Sequence, residues 1–403
     1  MTTVLTRPRM RDVLGNREFR ALWLAESQST AGDQLAKVAL MVLVYSRTGS
    51  ALWAAGVFAL TFLPALAGGL GLSQIADRFP RRTVLVVSSC GQAVCVGLMA
   101  VPGMPLVVLC VLVVLTQFLL APANAAQNAL AREVIEGDET YVRSQDLRRQ
   151  ISNNTIQLVG LAGGGLLIAA IGTSPALAID AATCVLAALT VWFLLSPRPS
   201  PGGQFTSWFA SSGWVFKQPR MRVMFILSWL VGLAVIAEGL AAPLADELHA
   251  GRAAVGWLLA ADPLGFILGA YVLSRFFHAQ TRLRMVGILC TASLTTLVLF
   301  FIRPSLPVAL ILLVVAGATG AYHISVISAV STWTPPEFRG GTNGVFRTGL
   351  RVSQGLGIAA GGAVAQLIGS SAITIAALAF AGLFISVPAT LAWARLKPTI
   401  EAT

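Results

Sequence analysis

Along most of the chain, apolar residues run for about 20 positions or more before charge, proline or glycine interrupts them. A run of that length crosses a ~30 Å hydrocarbon core as an α-helix. The runs are too long for the strands of a membrane barrel and lack their period-two alternation. The interruptions delimit twelve expected spans, roughly 19–46, 50–76, 82–102, 104–130, 147–171, 173–195, 222–247, 253–276, 283–302, 305–332, 342–368 and 370–394. The longest gap divides them six and six and begins "SPRPSPGG", which cannot continue a helix. The expected fold is all-α and membrane-embedded. An N-terminal six-helix half (1–195) and a C-terminal six-helix half (222–403) flank a cytoplasmic linker (196–221). Within that linker Phe205, Trp208, Phe209 and Phe216 recur on one helical face, so 203–217 is expected to lie as a helix in the membrane interface. The first 20 residues are basic and polar, without the short apolar core of a secretory signal.

Composition agrees with this reading. Hydrophobic residues make up 56% of the 403 positions and charged residues only 11%, about half the share of a soluble domain. The net charge of +11 is unevenly placed. With the N-terminus in the cytoplasm, that side collects Arg7, Arg9, Arg11, Arg17 and Arg20, then Arg78, Arg81 and Arg82. It also collects Arg132, Arg143, Arg148, Arg149 and Arg198, and later Arg339, Arg347 and Arg351. The other side receives only Arg47, Arg252 and Arg303, which sets both termini in the cytoplasm of a multi-pass plasma-membrane protein. These cations meet anionic lipid, and no nucleic-acid partner is expected. Cys90, Cys95, Cys110, Cys184 and Cys290 all fall inside spans without metal-like spacing, so neither disulfides nor a metal site are expected. The chain has no Walker A, HExxH or GxSxG sequence and only three scattered histidines. Neither an enzyme, a cofactor nor ATP-driven pumping is expected.

The two halves repeat. "GLAGGGLLIAAIGTS" (160–174) aligns with "GIAAGGAVAQLIGSS" (357–371), placing Gly160, Gly164, Gly165, Gly172 and Ser174 on Gly357, Gly361, Gly362, Gly369 and Ser371. Halves related by an axis along the membrane normal imply a binding site between them near the midplane. The glycines at 163–165 and 361–362 read as close-packing sites between helices and not as a phosphate loop.

After the second span the chain reads "SQIADRFPRRTVL". This resembles the signature loop of the major facilitator superfamily: Asp77, Arg78, Arg81 and Arg82 match, while Ser73 and Pro80 stand where glycines are usual. The resemblance implies a cytoplasmic gate, with Asp77 facing a helix N-terminus or an Arg and Arg81 paired with an acid. In the second half "SRFFHAQTRLR" keeps Arg275, Arg282 and Arg284 but lacks the Asp. The opening "NREFRALWLAESQSTAGDQLAKVALMVLVYSRTGS", together with "APANAAQNAL" and "SGWVFKQPRMR", resembles the bacterial siderophore and macrolide exporters of that superfamily. Where its antiporters have Gly-Pro in the fifth span, Leu161 follows Gly160; where they often have Arg in the fourth, this chain has Gln117, Asn124 and Gln127. These departures bear on the usual proton-coupling route more than on export.

The first span is interrupted by "ESQSTAGDQLAK". At 100° per residue Glu26, Thr30, Asp33 and Lys37 fall within about 60° of one another, so one face of the helix is charged. Such a face is too costly against lipid and must meet a cavity. Asp33, Glu26 and Lys37 are therefore candidates for proton coupling; a static Asp33–Lys37 packing pair is the alternative. Glu238 and Asp262 lie mid-span and can line the second half of that cavity, although Asp262, before Pro263, can also serve freed backbone groups. Asp180 falls near the outer half of the sixth span, outside this set. Gln117, Asn124, Asn154, Gln157 and His323 are substrate-cavity candidates that can equally bind helices together. The expected function is export of a hydrophobic or amphipathic small molecule by alternating access and proton antiport, by a monomer whose partners are substrate, protons and lipid. A proton-coupled nutrient importer, or a membrane receptor or scaffold that transports nothing, are the alternatives.

Overall fold

The computed structural model describes residues 10–62, 78–135, 138–145, 147–148, 154–199, 216–335 and 338–396, and among them it is helical, without strands. The first part comprises α1 (Met10–Gly15), α2 (Arg17–Thr48), α3 (Ala51–Ala59), α4 (Arg81–Met99), α5 (Leu106–Val134), α6 (Asp138–Gln145), α7 (Asn154–Ile171) and α8 (Thr173–Leu194). Then follow α9 (Pro219–Trp229), α10 (Val231–Ala234), α11 (Ile236–Gly239), α12 (Ala241–Glu247), α13 (Gly251–Phe276) and α14 (Ala279–Val298). The chain closes with α15 (Leu306–Gly320), α16 (His323–Trp333), α17 (Arg339–Ile368) and α18 (Ser371–Arg395).

Among the described residues, nine helical stretches are long and apolar enough to cross a membrane. They coincide with nine of the expected spans. The other three expected spans fall on α2, α3 and α17. The 32 residues of α2 carry charges along their length, and the 30 of α17 carry Arg339, Arg347 and Arg351 in the first half. The rest of the expected second span, 63–76, and Asp77 of the loop after it lie outside the described residues, as does 203–215 of the expected interfacial helix.

Local chemistry fixes several boundaries. Asn16 starts α2: its Oδ1 accepts from the Phe19 amide at 3.1 Å, satisfying a donor that the first helical turn leaves free. Its Nδ2 donates to the Val134 carbonyl at 2.9 Å and ties that start to the end of α5. The repeat seen in the sequence has a structural counterpart. Gly172 between α7 and α8, and Gly369 between α17 and α18, both take positive φ, 87° and 75°, a region that suits glycine.

The expected span 222–247 is not one helix but four segments, α9 to α12, separated at Leu230, Val235 and Leu240. Pro243 has no N–H to give the Gly239 carbonyl, which accounts for the break at Leu240. Gly232 and Gly239 pack too closely against α17 for side chains: a Cβ on them would lie 2.2 Å from the Ser353 carbonyl oxygen and 2.5 Å from Ile358.

The helices gather into two compact units, neither continuous in sequence. One holds residues 1–39, 67–160 and 171–205; the other holds 40–66, 161–170 and 206–403. In the first, a core of Leu22, Val84, Leu85, Ala126, Leu130 and Val191 joins α2, α4, α5 and α8. In the second, Met224, Phe225, Val286, Val326, Phe346 and Trp393 form a buried cluster across α9, α14, α16, α17 and α18. The far end of α2, all of α3 and the middle of α7 thus belong with the C-terminal helices.

Candidate functional site

Asp33 stands halfway along α2, half-buried, with Lys37 one turn further. Lys37 Nζ donates to Gln34 Oε1 at 3.2 Å. Gly32, beside Asp33, faces α8 so closely that a Cβ there would lie 2.2 Å from both Asp180 Oδ1 and Thr183 Oγ1. The missing side chain is what admits the Asp180 carboxyl. Asp180 is 1% exposed, and both Asp33 and Lys37 act on it electrostatically. Asp180 therefore joins the Asp33–Lys37 group, although the sequence reading set it apart. The available signal was an acid inside a span; the register between α2 and α8 was not readable.

Glu26 lies on the same helix toward the N-terminus. Its Oε2 accepts from Arg148 Nε at 2.5 Å, and the Arg148 side chain is only 2% exposed. Arg148, counted among the loop cations by sequence, is thus a buried partner. Removing an ion from water in this way is repaid only by a well-placed counter-charge.

The signature-loop cations are distributed among partners in the first unit. Arg81 pairs with Glu133 at the end of α5. Arg82 donates to the Trp192 carbonyl and stacks 4.7 Å over that indole. Arg78 is exposed. Asp77 lies outside the described residues. At the start of α2 and outside the expected span, Glu18 accepts from Arg198 and from the Ser196 amide. Burial would raise its carboxyl, but those donors outweigh it and hold it below the ordinary value.

In the second unit, Glu238 in α11 faces Arg351 of α17 closely enough for their charges to interact. Arg351 is exposed within the chain and lies 5.5 Å over the Phe62 ring. It stands roughly 18 Å along α17, well inside the helix, although the sequence reading counted it and Arg347 among the cations of the cytoplasmic side. Asp262 is half-buried before Pro263 in α13, and its backbone carbonyl packs against Gly317 of α15. His323 is buried with both ring nitrogens on backbone carbonyls, Nδ1 at 3.0 Å from Gly320 O and Nε2 at 3.1 Å from Ser228 O. Those contacts tie α16 to α9. Gln117, Asn154 and Gln157 are half-buried and Asn124 is exposed, so none of these four neutral groups is enclosed by the chain.

A third polar group, missed by the sequence reading, lies where α2 ends. The Tyr45 hydroxyl donates to Asp246 Oδ2 at 3.0 Å, and the Ser50 hydroxyl to Gln366 Oε1 at 2.8 Å. Tyr45, Asp246 and Gln366 border a recess of about 270 Å³. Beside it, Glu247 accepts from the Ser370 hydroxyl at 2.6 Å and from the Ser371 amide at 2.7 Å, a carboxylate placed on the N-terminus of α18. Nearby, Gly165 of α7 and Gly256 of α13 meet directly: a Cβ on Gly165 would lie 2.6 Å from the Ala253 carbonyl oxygen. Gly361 and Gly362 likewise meet Ile236 and Ala55, whereas Gly163 faces open space.

Residues 224–402 match the family profile described as Major Facilitator Superfamily. The chain is 24% identical over 380 residues to the Uncharacterized MFS-type transporter YfiS of Bacillus subtilis (strain 168), covering 87% of each protein. It is 25% identical over 339 residues to the Enterobactin exporter EntS of Escherichia coli O157:H7 (strain EC4115 / EHEC), covering 81% of this chain and 80% of that one. Its fold matches the crystal structure of nucleoside transporter NupG with a TM-score of 0.67 at 16% identity, over 93% of this chain and 98% of that one.

Proposed function

The chain is a major facilitator superfamily protein, and from that premise we propose that it exports a hydrophobic or amphipathic small molecule from the cytoplasm by alternating access, driven by proton antiport. One observation carries the coupling part of this reading: Asp33 and Lys37 sit at the middle of α2, beside Gly32, which packs on a further carboxyl, Asp180, close enough for the three charges to interact. Ionisable groups at that depth are expensive unless they serve transport. The likeness to an enterobactin exporter over most of the chain supports the outward direction. The exposed Arg351 beside Phe62 offers a cation and an aromatic face to a substrate with both polar and apolar parts.

The test is a toxicity screen of compound classes in an efflux-deficient bacterial host expressing the chain. Export predicts a raised tolerance that collapses when the proton gradient is dissipated. Asp33→Asn should leave the protein in the membrane and remove that tolerance, with Glu26→Gln milder. Increased sensitivity, or accumulation of a tested compound, would point instead to import.

A further inference from the structure

Asp180 is buried in a way that the exporter reading alone does not require. Its side chain is 1% exposed, and its Oδ2 has no hydrogen-bond partner. Oδ1 accepts from the Thr183 hydroxyl at 3.3 Å and lies 3.9 Å from the Cys184 thiol. Among the described residues its surroundings supply little positive charge. From α2 it faces Asp33 and Lys37. From its own helix it faces only Thr183 and Cys184. Along α8 runs α4, which brings Gly97 to Ala181 at this level and has Arg81 and Arg82 at its opposite end. Two carboxyls thus share one ammonium. One of them is balanced by Lys37; the other, enclosed and with a free oxygen, is too costly to bury as an anion.

We propose that Asp180 is the proton-carrying group of the transport cycle, neutral while it is closed against Gly32 and ionised when the α2–α8 contact loosens and water reaches it. The inference rests on the proton-antiport reading and moves the carried proton from Asp33 to Asp180. In the closed state the proton sits on Asp180, while Asp33 stays ionised opposite Lys37. When the contact opens, the proton leaves to water and the exposed Asp180 carboxylate is solvated. On closure it must take up a proton again. Gly32 sets the distance that makes the closed form a neutral one.

Infrared spectroscopy of the full-length protein in lipid vesicles tests this without a known substrate. At neutral pH the wild type should show the carbonyl band of a protonated carboxyl, and the band should bleach as the pH is raised. Asp180→Asn should remove it, whereas Asp33→Asn, which leaves Lys37 to Asp180 alone, should only lower the pH at which it bleaches. Thr183→Val, nearly isosteric, should shift the band by removing the donor to Oδ1, which keeps the assignment testable if Asp180→Asn folds poorly. A band that outlives Asp180→Asn, or disappears only with Asp33→Asn, overturns the inference. So does a band that resists the alkaline titration, the mark of a structural acid. If the toxicity screen finds no export while Asp180→Asn still removes a titrating band, the export reading fails and the proton site stands.

Discussion

Arg148 and Glu18 show how single side chains hold the first unit together. Arg148 is buried against Glu26, so Arg148→Gln leaves Glu26 as an unpaired acid in a closed setting. The expected cost is about 3–5 kcal/mol, read as a lower unfolding temperature in detergent, and Glu26→Gln added to Arg148→Gln should recover part of it. If the double variant is no better than the single one, the pair is not the source. Glu18 behaves differently because it sits near the surface and its donors hold its carboxyl below the ordinary value. Its contribution is in place above the unfolded carboxyl pKa of about 4.3 and is lost as the pH falls through the lower, folded value. Protection of the 195–198 amides, taken relative to intrinsic exchange at each pH, should therefore fall as the pH drops from roughly 6 to 3, and Glu18→Gln should flatten that response. At this scale the sequence shows which face of α2 is charged, because that follows from 100° steps alone. It does not show the partners: Arg148 is 122 positions from Glu26, and no periodicity encodes that distance.

Helix contacts depend on backbone approach. Gly165 and Gly256 let α7 and α13 touch at backbone distance, and a Cβ on Gly256 would lie 2.5 Å from the Leu161 carbonyl oxygen. Gly256→Ala should push the two helices apart and destabilise the protein by about 1–3 kcal/mol. Spin labels on α7 and α13 should report a longer separation; an unchanged distance with unchanged stability would show that the contact is slack. Glycines of this kind are legible from sequence as small residues in apolar helices, but which of them is in contact is not, as the open surroundings of Gly163 show. The fourfold division of α9 to α12 was half legible. Pro243 announces a break near Leu240, whereas those at Leu230 and Val235 lie in an uninterrupted apolar run and accompany tight packing on α17, a helix more than 100 residues away.

For the whole molecule, the duplicated stretch at 160–174 and 357–371 was the most informative long-range signal, since both copies end in a positive-φ glycine that turns one helix into the next. The alignment gave no hint that the far end of α2, all of α3 and the middle of α7 associate with the C-terminal helices. There Tyr45 meets Asp246, Ser50 meets Gln366, and Gly362 packs on Ala55. Parting these hydroxyl, amide and methyl contacts means hydrating the surfaces that they now cover and widening the recess that they border. Opening at this end is thus a reaction that consumes water, and its equilibrium should follow water activity. Labels on α3 and α17 should move closer on average as a large, excluded osmolyte is added, because exclusion favours the less hydrated form. A small solute able to enter the mouth should have no such effect. Through the Tyr45–Asp246 closure, the protein would sense osmotic pressure even with no substrate present.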